Sequence, residues 1–194
     1  MRKLARVCVY CGSSNKVDQR FLDAGHHMGE VLAKQGIGVV YGGGGVGVMN
    51  AVAQGALEHG GEVIGVLPQK LMDLELGRMD LTELHIVKGM HARKLMMADL
   101  SDGFVALPGG FGTLEELFEV TTWTQLNYHL KPIALLNVLG YYDHLVAFLD
   151  HARDVGFVRE IHRGLVPVHD SPERVIESLR TAMIPELGQW IADP

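Results

Sequence analysis

The feature that most constrains the fold of this chain is the alternation of short apolar runs with longer segments of helical periodicity. The apolar runs are rich in β-branched residues and end at Gly, Pro or Asp, which is typical of strands buried on both faces. They are the stretches ARVCVYC, IGVVYG, GEVIGVLP, LHIVKG, GFVALPGG, KPIALLNV and GLVPVHD. Apolar residues recur at helical spacing in the segments between them, namely 21–35, 47–59, 90–100, 113–127, 141–152 and 172–183.

Each predicted strand is followed by a helix or a long connection, so a parallel sheet with helices on both faces is the simplest way to bury every run. We therefore predict an α/β fold, a Rossmann-like doubly wound parallel sheet flanked by helices. A length of 194 residues suits a single domain, which we place at 1–184, followed by a C-terminal tail at 185–194. The charged segment 68–83 has weak periodicity, and it is either a flap beside the binding site or a long surface connection.

Composition excludes several classes of function. With Lys+Arg 17 against Asp+Glu 23 and no basic run, the chain is a poor binder of a nucleic acid polymer. No apolar stretch approaches the roughly 20 residues of a membrane span, and the N-terminus does not resemble a signal peptide, so we expect a cytoplasmic protein. Cys8 and Cys11 are too few for a disulfide framework or a four-thiolate zinc site. They lie in a predicted strand, and we expect them to point to opposite faces as structural residues.

Three strand ends carry small, polar or glycine-rich loops: YCGSSN at 10–15, YGGGGVGVMN at 41–50 and LPGGFGTLEE at 107–116. Ligands bind beyond the carboxyl ends of the strands in this fold class, and glycines beside helix N-termini let a phosphate approach backbone N–H groups. Together the loops predict one nucleotide-sized site, with Ser13, Gly43, Gly44 and Gly109 as candidate contacts.

The kind of anion follows from what these loops lack. A Gly-Lys-Ser/Thr sequence, which marks a triphosphate loop, is absent. A G-x-G-x-x-G pattern at 42–47 follows the second strand, and the next strand ends without the acid that would hold a ribose. A monophosphate is therefore the better-supported ligand.

Two interpretations of the third loop remain open. Thr113 and Glu116 fit a capping box, in which Thr113 is the N-cap and Glu116 bonds back to its backbone N–H. Alternatively, the helix N-terminus holds a phosphate and Glu116 is functional. Arg93 and Lys94 pose a similar choice: cations early in a helix are unfavourable unless an anion or carboxylate lies near, so they either meet one or form a solvated pair.

The stretch PGGFGTLEE has the form P-G-G-x-G-T-x-x-E, and with RK at 93–94, VYCGSS at 9–14 and GGGGVGVM at 42–49 it resembles the Lonely Guy family over about residues 6–180. Members of this family are cytokinin riboside 5′-monophosphate phosphoribohydrolases, formerly mislabelled lysine decarboxylases. The resemblance implies a Rossmann-like homodimer that hydrolyses the N-glycosidic bond of adenosine 5′-monophosphate-type nucleotides, releasing a free base and ribose 5-phosphate. We expect no cofactor and no metal.

The resemblance also implies site residues. The catalytic arginine and glutamate of the family fall on Arg93 and Glu116. Other implied contacts are Glu75, Lys94, Gly110, Phe111, Gly112, Thr113, Leu114, Glu115 and Thr122. Where many members read G-L-M-G, this chain has Gly47-Val48-Met49-Asn50, and we expect a small packing change in the first turn of the following helix.

Residue chemistry indicates how such a site works. Cleavage of a ribose–base bond makes C1′ cation-like, so it needs a carboxylate near the sugar and a positioned water. We expect Glu116 to stabilise that charge and to orient or deprotonate the water. Arg93 is a poor proton donor and is expected to fix Glu116 and the ribose hydroxyls. Gly110, Gly112 and Thr113 are expected to hold the 5′-phosphate.

Other functions remain open at this point. They are a non-catalytic nucleotide carrier, a pyridoxal phosphate decarboxylase that uses Lys94, and a metal-dependent hydrolase, although the 10 histidines are scattered. The helix at 113–127 carries Leu114, Leu117, Phe118, Trp123 and Leu126, which indicates a homodimer unless the helix is thoroughly buried. The preferred base, and whether a second subunit contributes to the site, also stay open.

Overall fold

The computed structural model describes residues 1–74 and 77–186. These residues form a seven-stranded sheet in the order β4-β3-β2-β1-β5-β6-β7, and every pair of neighbouring strands is parallel. The strands are β1 (Arg6–Tyr10), β2 (Gly38–Tyr41), β3 (Val63–Pro68), β4 (Glu83–Val87), β5 (Gly103–Ala106), β6 (Ile133–Leu136) and β7 (Val168–His169). The predicted Rossmann-like α/β fold is confirmed.

Helices cover both faces of the sheet. They are α1 (Gln19–Lys34), α2 (Gly47–Glu58), α3 (Gln69–Met72), α4 (Met90–Asp99), α5 (Phe111–Gln125), α6 (Asp143–Asp154), α7 (Glu160–Arg163) and α8 (Pro172–Thr181), with a 3-10 turn at Val138–Gly140. Residues of α1, α2 and α8 pack in one apolar cluster, and residues of α4 and α5 pack in the other. The core therefore has two halves separated by the sheet, as alternating side chains of buried strands require.

The central strand β1 shows this alternation directly. Val7 and Val9 face one half of the core, whereas Cys8 and Tyr10 face the other. Cys11 belongs with the first group, so the two cysteines point to opposite faces, as predicted. Both are buried free thiols, and burial raises the pKa of each thiol well above its ordinary value. Neither is exposed as a reactive thiolate needs to be.

The start of α5 differs from the capping-box interpretation. The helix begins at Phe111, and its N-cap is Gly110, which has no side chain to cap it. Thr113 lies in the first turn and Glu116 in the second, so Thr113 is not the N-cap and Glu116 makes no bond back to it. The capping-box interpretation is wrong, because the helix begins earlier, at a glycine.

The connection 68–83 is partly ordered against the second glycine loop. It starts with the short helix α3, and a single antiparallel bridge joins Gly77 to Gly44. Arg78 then donates its backbone N–H to Gly43 O at 3.0 Å. The described part of the segment is therefore a packed connection; Glu75 lies outside the described residues, as does the tail from 187 onward. None of the helices in the described ranges has the length and apolar character needed to cross a bilayer.

Candidate active site

The three predicted loops meet at one edge of the sheet. They follow β2, β1 and β5, which are neighbours in the strand order, so their carboxyl ends lie side by side. Gly12 N donates to Pro108 O at 3.0 Å, and Met49 N donates to Gly12 O at 3.1 Å. The order of the strands reverses between β1 and β5, which is where ligands bind in open α/β sheets.

The N-terminus of α5 is open toward this edge. The N–H groups in the first turn of a helix have no intrahelical partner, and because no side chain caps α5, they are available to an anion. Thr113, in that first turn, is 3% exposed. A Cβ added to Gly109 would collide with the Thr113 hydroxyl, so Gly109 must be glycine for the loop to reach the helix in this way.

Gly110 and Gly112 are glycines that the folded chain itself does not demand. Neither has a positive φ, and a Cβ added to either would meet no protein atom within 4 Å. Within the helix, at Gly112, glycine lowers helix stability, so its presence there calls for another reason. Close approach of a ligand to the exposed backbone is the reason that fits an uncapped helix end.

Arg93 and Glu116 face each other beside this helix end. Arg93 lies on α4 and Glu116 on α5, and their side chains are 7% and 5% exposed. The distance between Arg93 Nη1 and Glu116 Oε1 is 3.8 Å, which is longer than a hydrogen bond. Glu116 forms no hydrogen bond with any residue in the described ranges, so its carboxylate oxygens remain available to a ligand or a water.

Arg93 is held by the backbone of two strand ends. Its Nε donates to Val66 O at 3.2 Å, and its Nη2 donates to Gly42 O at 3.3 Å. A Cβ added to Gly42 would collide with Arg93 Nη2, which explains why a glycine is needed there. The arginine is thus fixed in place before any ligand arrives.

The surroundings of Glu116 change its acidity. Burial raises its pKa to about 7, and the charge of Arg93 opposes this only in part. Glu115 and Glu119 raise the pKa further, whereas Lys94 lowers it. A carboxyl with a pKa near neutrality can exchange a proton at physiological pH, as a general acid or base must.

A cavity of about 320 Å³ joins these features. Its lining includes the predicted residues Ser13, Arg93, Gly110, Phe111, Gly112, Thr113, Glu115 and Glu116. It also includes Cys11, Gly12, Met49 and Met90, which sequence reasoning did not assign to the site. A second cavity of about 320 Å³ adjoins it through Gly12, Ser13 and Gly110 and is lined by Gly109, Phe21 and Tyr141, among others.

Other predicted residues lie outside the cavity. Lys94 Nζ donates to Glu115 Oε1 at 2.5 Å and to Glu119 Oε1 at 2.9 Å. Burial alone would lower the pKa of Lys94, but these two hydrogen bonds raise it overall. Leu114 packs on the core, and Thr122 is exposed and donates to Phe118 O at 2.7 Å.

Gly43 and Gly44 lie behind the cavity rather than on its surface. Both are buried, and they contact the described end of the connection after α3. Their role in the site is therefore indirect. Glu75, the remaining predicted contact, lies outside the described residues.

Two tyrosines that sequence reasoning missed support the third loop. Tyr141 Oη donates to Gly109 O at 2.6 Å, and Tyr142 Oη donates to Leu107 O at 2.6 Å. Both residues follow β6, far along the chain from the loop that they hold. The tyrosine pair just after a predicted strand is the one signal that points to this edge of the sheet.

Comparison with known proteins gives relatives along most of the chain. A family model described as "possible lysine decarboxylase" matches residues 49–179. The cytokinin riboside 5′-monophosphate phosphoribohydrolase LOG of Oryza sativa subsp. japonica is 46% identical over 164 residues, which are 84% of this chain and 68% of the rice protein. The phosphoribohydrolase LOG1 of Arabidopsis thaliana is 45% identical over 179 residues, covering 91% of this chain and 83% of that protein.

Solved structures share the fold. The X-ray structure of TM1055 has a TM-score of 0.72 at 25% identity and covers 91% of this chain and 99% of its own. A molybdenum cofactor binding protein from the phototrophic bacterium Rippkaea orientalis has a TM-score of 0.69 at 27% identity and covers 91% of this chain and 95% of its own. The Rippkaea orientalis structure is named for a binding role, whereas the rice and Arabidopsis relatives are named as phosphoribohydrolases.

Proposed function

Because this chain belongs to the family of the cytokinin riboside 5′-monophosphate phosphoribohydrolases, we propose that its Arg93–Glu116 pair cleaves the N-glycosidic bond of adenosine 5′-monophosphate-type nucleotides. The chain is a hydrolytic N-glycosidase, and its products are a free base and ribose 5-phosphate. We include plain adenosine monophosphate among its substrates beside the N6-substituted riboside monophosphates.

One observation supports this proposal above the others. A buried carboxyl with a pKa of about 7 lies 3.8 Å from a buried guanidinium, at the wall of a cavity that also contains an uncapped helix N-terminus. The helix end suits the phosphate of the nucleotide, and the carboxyl suits the cation-like C1′ of the transition state. A binding module needs no such carboxyl.

The division of labour follows from the residue types. Glu116 stabilises the developing charge at C1′ and orients or deprotonates the attacking water. Arg93 stays charged throughout, so it fixes Glu116 and the ribose hydroxyls rather than donating a proton. Its two bonds to the carbonyls of Val66 and Gly42 keep it in that orientation.

The phosphate is the anchor of the substrate. The free N–H groups at Gly110, Gly112 and Thr113 hold it, and Ser13 from the first loop lies on the same cavity wall. Binding energy gained at this remote group aligns C1′ with Glu116. A nucleoside without the phosphate therefore reacts more slowly than its monophosphate.

Two rival functions fit the contacts less well. A decarboxylase needs a lysine free to form a Schiff base, whereas Lys94 is held by Glu115 and Glu119. A metal-dependent hydrolase needs clustered ligands, and the described ranges contain no group of three His, Cys, Asp or Glu that could hold an ion. A nucleotide carrier of the same fold remains the alternative to be tested.

Analysis of the reaction products provides that test. Purified protein is incubated with adenosine monophosphate, an N6-substituted adenosine monophosphate and the matching nucleosides, and the products are separated by chromatography. Release of base and ribose 5-phosphate, with the monophosphates the better substrates by kcat/KM, is expected. Binding without release of base would establish the carrier instead.

We further propose a homodimer in the cytoplasm. Apolar side chains are exposed on α4 and α5, next to the cavity, and such a patch suits a second copy of the chain. Two buried free thiols fit a reducing compartment.

A further inference from the structure

We infer that Arg78 is a positioning residue for the reaction, acting through the second glycine loop on Arg93. This inference rests on the proposed function of Arg93 and Glu116. Arg78 touches neither of them; it binds the loop whose Gly42 carbonyl receives the Arg93 guanidinium.

The side chain of Arg78 is fully bonded. Its five N–H donors meet five acceptor contacts, which is the whole capacity of a guanidinium. Nε and Nη2 donate to the two carboxylate oxygens of Asp80 at 2.6 and 2.8 Å. Nη1 donates to Asn50 Oδ1 at 2.9 Å and Asn50 O at 3.3 Å, and Nη2 also donates to Gln54 Oε1 at 2.7 Å. The side chain is 11% exposed.

These contacts join helix α2 to the connection that precedes β4. Asn50 and Gln54 lie on α2, whereas Arg78 and Asp80 lie in the connection before β4. We call these four residues the Arg78 cluster. The backbone of the same connection bonds to the glycine loop, through Arg78 N to Gly43 O and through the bridge of Gly77 with Gly44.

The path from Arg78 to the reacting centre is short. The Arg78 cluster holds the connection, the connection holds Gly43 and Gly44, and the adjacent Gly42 accepts a hydrogen bond from Arg93 Nη2. If the contacts of Arg78 are lost, the second glycine loop loses a restraint next to the Gly42 carbonyl, which accepts a hydrogen bond from Arg93. Small displacements of such a group are costly, because the rate depends on its geometry.

Asn50 supplies two of the five acceptor contacts of Arg78. Its side-chain Oδ1 accepts a hydrogen bond from Arg78 Nη1 at 2.9 Å. Glycine at this position would leave Arg78 with one acceptor fewer. Asn50 is therefore part of the contacts that hold Arg78.

The experiment compares Arg78→Met with Arg6→Met. Arg6 also forms a two-point ion pair, with Glu62 at 2.7 and 3.0 Å, but it lies in β1 at the other end of the strands. We expect Arg78→Met to lower kcat on the order of 10- to 100-fold and to change KM by less than about 3-fold, because the phosphate anchor is untouched. Arg6→Met is expected to retain kcat within about 2-fold.

Asn50→Gly and Arg78→Lys complete the set. Asn50→Gly should lower kcat by a smaller factor and add nothing further in the Arg78→Met background, since both changes remove the same contact. Arg78→Lys should not rescue the rate, because a lysine cannot supply the planar fork of donors. These two variants carry the test if Arg78→Met does not fold.

Hydrogen exchange gives a readout that does not depend on turnover. Amides in 41–50 should exchange faster in Arg78→Met than in Arg6→Met. A folded Arg78→Met protein with unchanged kcat, or with unchanged exchange in this segment, would overturn the inference. A wild-type protein that releases no base would instead refute the proposed function, and the exchange result alone would then decide whether the cluster holds the loop.

Discussion

At the scale of single residues, Glu116 combines two conditions that oppose each other. It is buried, which disfavours its charged form, yet it lies beside Arg93, which favours that form. The separation of 3.8 Å is longer than a hydrogen bond, so the charge of Arg93 opposes the effect of burial only in part. Burial therefore prevails, and the carboxyl has a pKa of about 7.

The role of Glu116 can be separated from that of its neighbour Glu119. Glu116→Gln should retain folding and nucleotide binding but lower kcat by roughly 100-fold or more, a typical loss for a positioned acid or base. Glu119 lies one turn further along α5 and pairs with Lys94 outside the cavity, so Glu119→Gln should leave kcat within about 2-fold. Steady-state rates of base release measure both. Equal losses in the two variants would contradict the assignment.

The same carboxyl makes stability depend on pH. Its folded pKa of about 7 lies above its ordinary value, so the folded state holds the proton more tightly, and this favours the fold at low pH. That advantage is lost as the pH rises from about 4.5 to about 7. Relative to wild type, Glu116→Gln should therefore gain about 3 kcal/mol in the free energy of unfolding between pH 4 and pH 8.

Urea unfolding of both proteins at several pH values measures this difference. The control is Glu119→Gln, because the Glu119 side chain is 25% exposed and forms an ion pair with Lys94. A difference between Glu116→Gln and wild type that does not change with pH would show that Glu116 titrates normally. The pH dependence of kcat should follow the same ionisation of Glu116. The substrate phosphate also titrates, near pH 6. The pH dependence of nucleotide binding to Glu116→Gln measures the contribution of that phosphate separately.

At the scale of secondary structure elements, the N-terminus of α5 is a place where stability and binding are opposed. Gly112→Ala should raise the free energy of unfolding by about 0.5–1 kcal/mol, because alanine favours the helix and its Cβ meets no protein atom. The same methyl group would project from the helix end that we assign to the phosphate. KM for the monophosphate should therefore rise about 10-fold, while the protein becomes more stable.

Gly164→Ala is the matched control for that variant. Gly164 is exposed at the end of α7, has a helical φ of −65°, and lies away from the cavity. It should change stability by a similar small amount and leave KM unaltered. Thermal unfolding and initial rates give both quantities. An unchanged KM in Gly112→Ala would mean that the phosphate binds elsewhere.

The elements also differ in how far the sequence predicts them. Six of the seven strands lie within the predicted runs, and β4 begins at Glu83, one residue before its run. The runs are easy to recognise because strands buried on both faces are continuously apolar. The helices α3 and α7 have four residues each, too few to display a period. The start of α5 was misplaced because Thr113 offers a familiar cap, whereas the true N-cap, Gly110, has no side chain to signal it.

The candidate site was predictable in its parts but not in its geometry. The glycine loops, Arg93 and Glu116 stand out as motifs. The 3.8 Å separation of that pair, the burial that sets the pKa of Glu116, and the bonds of Arg78 to Asn50 and Gln54 depend on residues distant in sequence. Such contacts follow from the assembled sheet and have no local pattern.

At the scale of the whole molecule, apolar side chains of α4 and α5, here called the α4–α5 patch, are exposed, and some of them line the cavity. Leu117 of the predicted set is buried in the core, whereas Phe118 and Leu126 are 39% and 38% exposed. Phe111 is 94% exposed, and both it and Met90 also line the cavity. If a second chain covers this patch, it also closes one side of the site, and assembly and turnover become linked.

Phe118→Glu tests this link. A charge buried in a dimer interface without a partner is costly, so the variant should be monomeric at micromolar concentration and its kcat/KM should fall about 10-fold or more. Phe157→Glu is the control, because Phe157 is 89% exposed between α6 and α7, away from the patch. It should stay dimeric and active. Light scattering after size exclusion gives the mass of each protein. A monomeric wild type would contradict the homodimer. A Phe118→Glu variant that remains dimeric would show that the interface lies elsewhere.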